Sequence, residues 1–472
     1  MQIALTKIEE ALNKSQTDDP VLIQEIIAKG REKKGLHLEE VAFLLNLKDP
    51  AMLDGLYQAA AAVKDEIYGK RIVLFAPLYT SNYCINNCLY CGFRQANEAL
   101  PRRRLSLQEV QQEARFLAAA GHHRLLLVTG EAPSDSSAPT IAATVEAIYQ
   151  AVDIRRINVN CAPLSIEGFR ILKEAQIGTY QLFQETYHPE QYKAMHPSGP
   201  KSDYQDRVTA IHRAIEGGLD DVGLGVLYGL YDYRFETLAL LEHARLLEEQ
   251  YNLGPHTISV PRLKKAPGMA LTTIPAEVDD ESFKKIIAIL RLALPYTGII
   301  LSTREPVTLR TELLHLGVSQ MSAGSSTHPG GYSDHVEQHN GKEKTEEPGA
   351  STDTLGTIGS QFYLEDHRPL QEVVHSIMEE GFIPSFCTAC YRSERTGEAF
   401  MALAKSGAIH KMCNPNALLT LEEFLIDFGD EETKKLGRQR ITEEIEKLPP
   451  SQATRIKQHL QELRSGKRDL YV

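Results

Sequence analysis

Short β-branched or apolar runs recur along the chain, and the stretches between them carry apolar residues at helical spacing behind helix-start signals. The runs occupy 71–78, 124–130, 157–163, 179–187, 220–230, 257–262, 298–305 and 318–326. Amphipathic segments such as SLQEVQQEARFLAAAG (106–121) and RFETLALLEHARLLEEQYN (234–252) lie between them. A strand followed by a helix, eight times over, predicts an α/β fold in which a parallel sheet closes as a (β/α)8 TIM barrel, complete or split. A doubly wound open sheet is the alternative. After the last run, HPGGYSDHVEQHNGKEKTEEPGASTD (328–353) is polar and glycine-rich, the composition of a loop or linker. The expected division is a helical region over 1–70, the barrel over 71–330, a loop and linker over 331–368, and a helical C-terminal module over 369–472.

Composition narrows the class. The chain has 472 residues, 42% hydrophobic and 24% charged, enough for a large buried core. The first residues, MQIALTKIEEALNKSQTDD, carry charges where a signal peptide needs an apolar run, and no stretch of about 18 apolar residues follows. A soluble protein without a membrane span is expected. Seven unevenly spaced cysteines in so long a chain argue against a disulfide framework and for thiols kept reduced in a cytoplasm. A net charge of -12 gives no reason to expect nucleic acid as a partner.

In a barrel, polar chemistry collects at the C-terminal tips of the strands. SNYCINNCLYCGFR (81–94) sits at such a tip and sets Cys84, Cys88 and Cys91 at C-x3-C-x2-C spacing. Structural zinc takes four ligands, whereas a [4Fe-4S] cluster held by three cysteines leaves one iron open to an outside ligand. Zinc stays as the alternative, although the next histidines, His122 and His123, belong to another unit. A second set, Cys387, Cys390 and Cys413, lies in SFCTACYRSERTGEAFMALAKSGAIHKMCNPNALLT (385–420), where a zinc knuckle completed by His410 is the competing reading. Cys161 stands alone at the end of a run and reads as a core or lining residue.

The first cysteine spacing, with the aromatic Tyr90 before its last cysteine and a barrel strand ahead of it, resembles the signature of the radical S-adenosylmethionine (SAM) enzymes. FQETYH (183–188), GLGVLYGLYD (223–232), SVPRLK (259–264) and LSTRE (301–305) resemble the tyrosine-cleaving branch of that family, which holds the 2-iminoacetate synthases and the [FeFe]-hydrogenase maturases. The second cysteine set, with RTGEAFM (395–401), is similar to an extension carried by the maturases. The resemblance implies a [4Fe-4S] cluster whose open iron chelates SAM and cleaves it to a 5'-deoxyadenosyl radical. It implies cleavage of L-tyrosine at Cα–Cβ to p-cresol and dehydroglycine, and an auxiliary iron-sulfur cluster with a labile extra iron where dehydroglycine yields carbon monoxide and cyanide for H-cluster assembly. The partners it implies are an electron donor such as ferredoxin or flavodoxin, and maturation proteins or a scaffold that receive an iron-carbonyl-cyanide product.

Residue by residue, the same resemblance places Tyr90, Gly130, Glu131, Gln184 and Glu185 around SAM. It places Arg304 and Ser302 at the amino-acid substrate, and His256 on the labile iron. A guanidinium fork suits a carboxylate, but from the residues alone Arg304 could equally pair with Glu305, and His256 could be a packed histidine. PRRR (101–104) reads as a solvated loop. LLLVTGEAP (125–133) departs from the maturase pattern toward that of the synthases, while Gly130 still allows close backbone approach. Two other functions remain open: a 2-iminoacetate synthase serving thiamine thiazole synthesis, and a non-catalytic iron-sulfur carrier.

Overall fold

The computed structural model describes residues 3–16, 19–334, 359–393, 395–406 and 408–472. All eight expected strands are present: β1 (Arg71–Ser81), β2 (Arg124–Thr129), β3 (Arg156–Asn160), β4 (Tyr180–Glu185), β5 (Val222–Val226), β6 (Thr257–Ser259), β7 (Gly298–Leu301) and β8 (Gln320–Ser322). Each pairs in parallel with the next, and β8 returns to β1, so the sheet closes as a barrel and the open-sheet alternative falls away. The crossover helices begin where the sequence caps them. Ser106, Ser137, Ser165, Asp203, Asp232 and Asp279 each accept a backbone N–H of the first helical turn, and Ser106 with Glu109 forms a reciprocal capping box.

A ninth strand, β9 (Ile383–Ser385), joins the same sheet. Val73 of β1 faces Gln320 of β8 on one edge and Ser385 of β9 on the other, whereas β2 pairs with β1 only from Ala76 upward. At its lower end the barrel is therefore split between β1 and β2, and β9 fills the split. The segment 369–472, expected as a separate module, shares its core with the barrel. One hydrophobic cluster runs from Ile8 and Leu44 in the N-terminal helices through Ile72, Ile258 and Leu290 to Phe386, Leu419 and Leu463.

The four N-terminal helices, Leu5–Lys14, Pro20–Gly30, Leu38–Asn46 and Pro50–Tyr68, pack on the barrel helices Tyr233–Tyr251 and Asp280–Ala293. Part of the expected linker, 335–358, lies outside the described residues, but 359–368 is described and packs over the upper mouth of the barrel. No helix among the described residues is long and apolar enough to cross a membrane.

Candidate active site

The loop after β1 brings Cys84, Cys88 and Cys91 to one wall of a chamber at the upper mouth. Its conformation is set by a residue the sequence reading passed over. The Asn86 amide donates to Glu131 Oε2 at 2.6 Å and to the Cys84 sulfur at 3.8 Å, and its oxygen accepts the Lys201 backbone N–H at 2.8 Å. Arg102 braces the loop from behind, donating to the carbonyls of Asn82, Phe93 and Arg94 at 2.6 to 2.8 Å. The PRRR stretch is thus only partly a solvated loop: Arg103 lies in surface ion pairs, Arg104 reaches the buried Asp135, and Arg102 is structural. Burial pushes the Cys88 thiol up to about 12 and the Cys91 thiol up to about 11. A proton leaves such thiols readily only when a metal takes its place.

Gly130 follows β2, and a Cβ there would run into the Tyr83 carbonyl, so only glycine lets the two segments close together. Glu131 lines the chamber beside it. Across the chamber Glu185 takes a positive φ of 73° at the end of β4, where its carboxylate meets Lys201 Nζ at 2.5 Å and Arg207 Nη2 at 3.5 Å. Burial alone would raise the Glu185 carboxyl, but Lys201 and Arg207 outweigh it and hold it below the usual range. Gln184 requires a correction. The β4 residues facing the chamber are Gln181, Leu182, Phe183 and Glu185, while Gln184 falls at the register shift, is absent from the lining, and keeps its Nε2 buried without a partner. Tyr90 is buried and its hydroxyl meets His196 Nε2 at 2.8 Å. Cys161 lines the chamber, with burial raising its thiol.

Ser302, Thr303 and Arg304 line the opposite side, above β7. Glu305 does not pair with Arg304: it is turned toward Arg262, whose Nε lies 3.1 Å from both carboxylate oxygens. The Arg304 guanidinium lies 3.4 Å above the Phe362 ring, and no carboxylate among the described residues reaches it. Phe362 and its neighbour Gln361 come from the stretch read as linker.

The second cysteine set lies at the other end of the barrel. β9 leads into Cys387, and Cys390 and Cys413 meet in a small apolar cluster with Phe400 and Ile409. Cys387 and Cys390 border a cavity whose other walls are the lower ends of the strands: Arg71 of β1, Arg124 of β2, Asp221 ahead of β5 and His256 ahead of β6. Arg124 donates to the Cys387 carbonyl at 2.7 Å. Burial would lower Arg71, but the facing Cys413, Cys387 and Cys390 outweigh it, and no carboxylate among the described residues pairs with it. Arg71 Nε and Arg124 Nε are buried and unpartnered. The hydrogen bond with Cys413, and then burial, pushes the Cys390 thiol up. Three thiols around an uncompensated guanidinium are a donor set that fits an anionic cluster. His256 is packed against Phe400 at 4.5 Å, and burial, then Arg124 and Arg71, keep its imidazole below the ordinary value. The side chain of His410, the fourth zinc ligand considered from sequence, lies outside the described residues. Among the described residues no three His, Cys, Asp or Glu side chains converge closely enough to chelate one ion at either end. Thiolates on separate irons of a cube need no such convergence.

Residues 78–246 match the radical SAM superfamily, and residues 259–383 match the biotin and thiamin synthesis associated domain. A 2-iminoacetate synthase of Salmonella typhimurium is 33% identical over 296 residues, which is 62% of this chain and 77% of that protein. The crystal structure of HydG, a maturase of the [FeFe]-hydrogenase, superimposes with a TM-score of 0.93 at 47% identity, covering 100% of this chain and 99% of that one. HydG from Carboxydothermus hydrogenoformans follows with a TM-score of 0.82 and 43% identity over 97% of both chains. Superfamily, barrel and C-terminal extension agree: the chain belongs to the HydG family of [FeFe]-hydrogenase maturases, within the radical SAM superfamily.

Proposed function

We propose that the chain cleaves L-tyrosine at Cα–Cβ to p-cresol and dehydroglycine at the upper mouth, and turns dehydroglycine into carbon monoxide and cyanide at the lower end. The observation that carries this reading is one barrel with a cysteine triad at each end and a guanidinium, Arg304, that faces the upper chamber with no carboxylate partner among the described residues. The [4Fe-4S] cluster and SAM supply the electron and the 5'-deoxyadenosyl radical, and an auxiliary iron-sulfur cluster with a labile iron supplies the metal for the second half.

The chain's own residues do the rest. Cys84, Cys88 and Cys91 hold the upper cluster, with Asn86 and Arg102 fixing their loop. Tyr90, Gly130, Glu131 and Glu185 shape the SAM side of the chamber, and Gln184 is not carried forward. The Glu185 carboxylate is held charged by Lys201 and Arg207, as a carboxylate that accepts hydrogen bonds from a ribose must be. Arg304 receives the substrate carboxylate as a bidentate fork, and Ser302 lies beside it. At the lower end Cys387, Cys390 and Cys413 hold the auxiliary cluster, Arg71 balances its charge, and His256 offers a neutral imidazole to the labile iron. An acidic electron carrier such as ferredoxin or flavodoxin and a maturation protein or scaffold that takes the product complete the scheme. Seven free cysteines support a reducing, cytoplasmic setting.

The test is an anaerobic incubation of reconstituted protein with SAM, dithionite and tyrosine, with p-cresol and carbon monoxide measured from one vessel. Both products are expected. p-Cresol without carbon monoxide would leave a 2-iminoacetate synthase, and neither product with both clusters intact would leave a carrier.

A further inference from the structure

The stretch Ser360–Asp366 lies some 270 residues from the cluster loop in sequence, yet it is seated directly on it. The Gly92 backbone N–H, next to Cys91, donates to the Gln361 carbonyl at 3.0 Å, and a Cβ on Gly92 would stand 2.5 Å from the Ser360 carbonyl. The Gln361 backbone N–H donates to Thr327 at 3.0 Å, and the N–H groups of Glu365 and Asp366 both reach the Thr303 carbonyl, at 3.0 and 3.1 Å. The strap is therefore pinned to the Cys91 end of the cluster loop and to the residue before Arg304.

Its two side chains between those pins point to different groups. The Gln361 oxygen accepts the Tyr79 hydroxyl at 2.8 Å, which turns the amide nitrogen toward the Cys91 sulfur at 3.9 Å. Burial keeps the Tyr79 phenol protonated and hence a donor, so the two ends of the amide are distinguished by chemistry. Phe362 lines the chamber and carries the Arg304 guanidinium on its face, while its carbonyl accepts Thr327 Oγ1 at 3.1 Å.

We propose that Gln361 and Phe362 are positioning residues of the radical site: the Gln361 amide donates to the Cys91 thiolate and raises the reduction potential of the cluster, and the Phe362 ring fixes the Arg304 guanidinium over the chamber. A donor on a cluster sulfur stabilises the state with one more electron, because that electron's charge is shared with the sulfurs. The electron itself comes from the external reductant. Asn86 makes a similar contact to Cys84, but it also pins the loop, whereas Gln361 arrives on a separate segment and can lose its donor without loosening the cysteines. An aromatic face 3.4 Å from the guanidinium carbon restricts where the planar fork can sit, and so where it meets a carboxylate. The inference rests on the roles given above to Cys91 and Arg304.

The full chain, reconstituted with iron and sulfide, is titrated with dithionite and followed by electron paramagnetic resonance, using the SAM-sensitive signal to single out the upper cluster. Gln361→Met keeps the side-chain length and removes the donor. It should retain parental iron and sulfide but have a lower midpoint, equivalent to at least a threefold higher oxidised-to-reduced ratio at fixed potential. Gln361→Leu, a second neutral side chain without a donor, should move the midpoint the same way and guards against a packing defect peculiar to the first variant. Phe362→Ala should leave the midpoint at the parental value and raise the tyrosine dissociation constant about tenfold, with Phe362→Tyr restoring it. A parental midpoint in both Gln361 variants, or parental tyrosine affinity in Phe362→Ala, overturns the corresponding half. If the parent makes no p-cresol but the Gln361 shift persists, it is the proposed function that fails.

Discussion

The two ends of the barrel are built by opposite rules. At the upper mouth three cysteines come from one eight-residue loop, and the barrel adds side chains from the tips of β2, β4 and β7. At the lower end three cysteines come from a segment that starts beyond the barrel, and the walls are the first residues of β1 and β2 and those just ahead of β5 and β6. The upper site is local and is closed over by a distant strap, whereas the lower site is non-local and exists only where β9 fills the split between β1 and β2. One end resembles a loop graft on a finished scaffold. The other is part of how the scaffold closes.

The sharpest way to break this comparison is to empty one end. Replacing Cys84, Cys88 and Cys91 together with alanine should abolish 5'-deoxyadenosine formation while leaving roughly half of the iron, because the lower thiols are untouched. Loss of all iron would mean that the two ends do not load independently. The reciprocal change, Cys387→Ala with Cys390→Ala, should let p-cresol continue while carbon monoxide disappears, and His256→Ala should give a milder form of the same split. Carbon monoxide at the parental rate from the double variant would make the lower end structural only.

A smaller change sharpens the upper end alone. Arg304→Lys keeps the charge and loses the fork, and a charge-assisted hydrogen bond is worth about 1.5 to 3 kcal/mol. Tyrosine affinity should fall by tens of fold in a binding titration, with SAM binding little changed. An unchanged affinity would remove Arg304 from the substrate.

The last test leaves chemistry untouched and reads the upper end's support through pH. Glu236, on the helix that follows β5, accepts the Tyr187 N–H at 2.8 Å and pairs with Thr186, so it supports the strand tip that carries Glu185. Burial pushes its carboxyl up to about 8. The folded state then holds a proton that the unfolded chain releases near pH 4.5, so this group's contribution to stability is fully present below that value and is lost as pH rises toward about 8. Glu236→Gln should flatten that decline in denaturant midpoints measured between pH 5 and pH 9, by on the order of a few kcal/mol across the window. An identical slope in the variant would show that the proton is lost elsewhere.

Much of the upper end was legible because its signals are local. Cys84, Cys88 and Cys91 share one loop, the strands alternate with capped helices, and Ser106 and Glu109 spell out a capping box within four residues. What stayed hidden depends on three-dimensional pairing. Asn86 looks like any loop asparagine until Glu131 and Lys201 are beside it, and Gln361 and Phe362 lie beyond the polar run, in the stretch assigned with it to a loop and linker. Gln184 was misplaced because FQETYH marks the right strand tip but cannot show the register shift that turns one residue out of the chamber. At the lower end the cysteines were visible as a set and the family resemblance pointed to His256, but Arg71, Arg124 and Asp221 escaped a search of C-terminal strand tips because they stand at or ahead of the opposite ends of their strands.

The place of β9 also fixes an order of events in time. Its partner residues on β1, Arg71 to Val73, emerge during synthesis more than 300 residues before Ile383–Ser385 can pair with them. Contacts so distant along the chain carry the largest loop-closure cost and form late. A nascent chain can shape the Cys84–Cys91 loop while its lower barrel is still open between β1 and β2, whereas the lower cavity beside Cys387 and Cys390 is walled in only after the C-terminal segment has folded back.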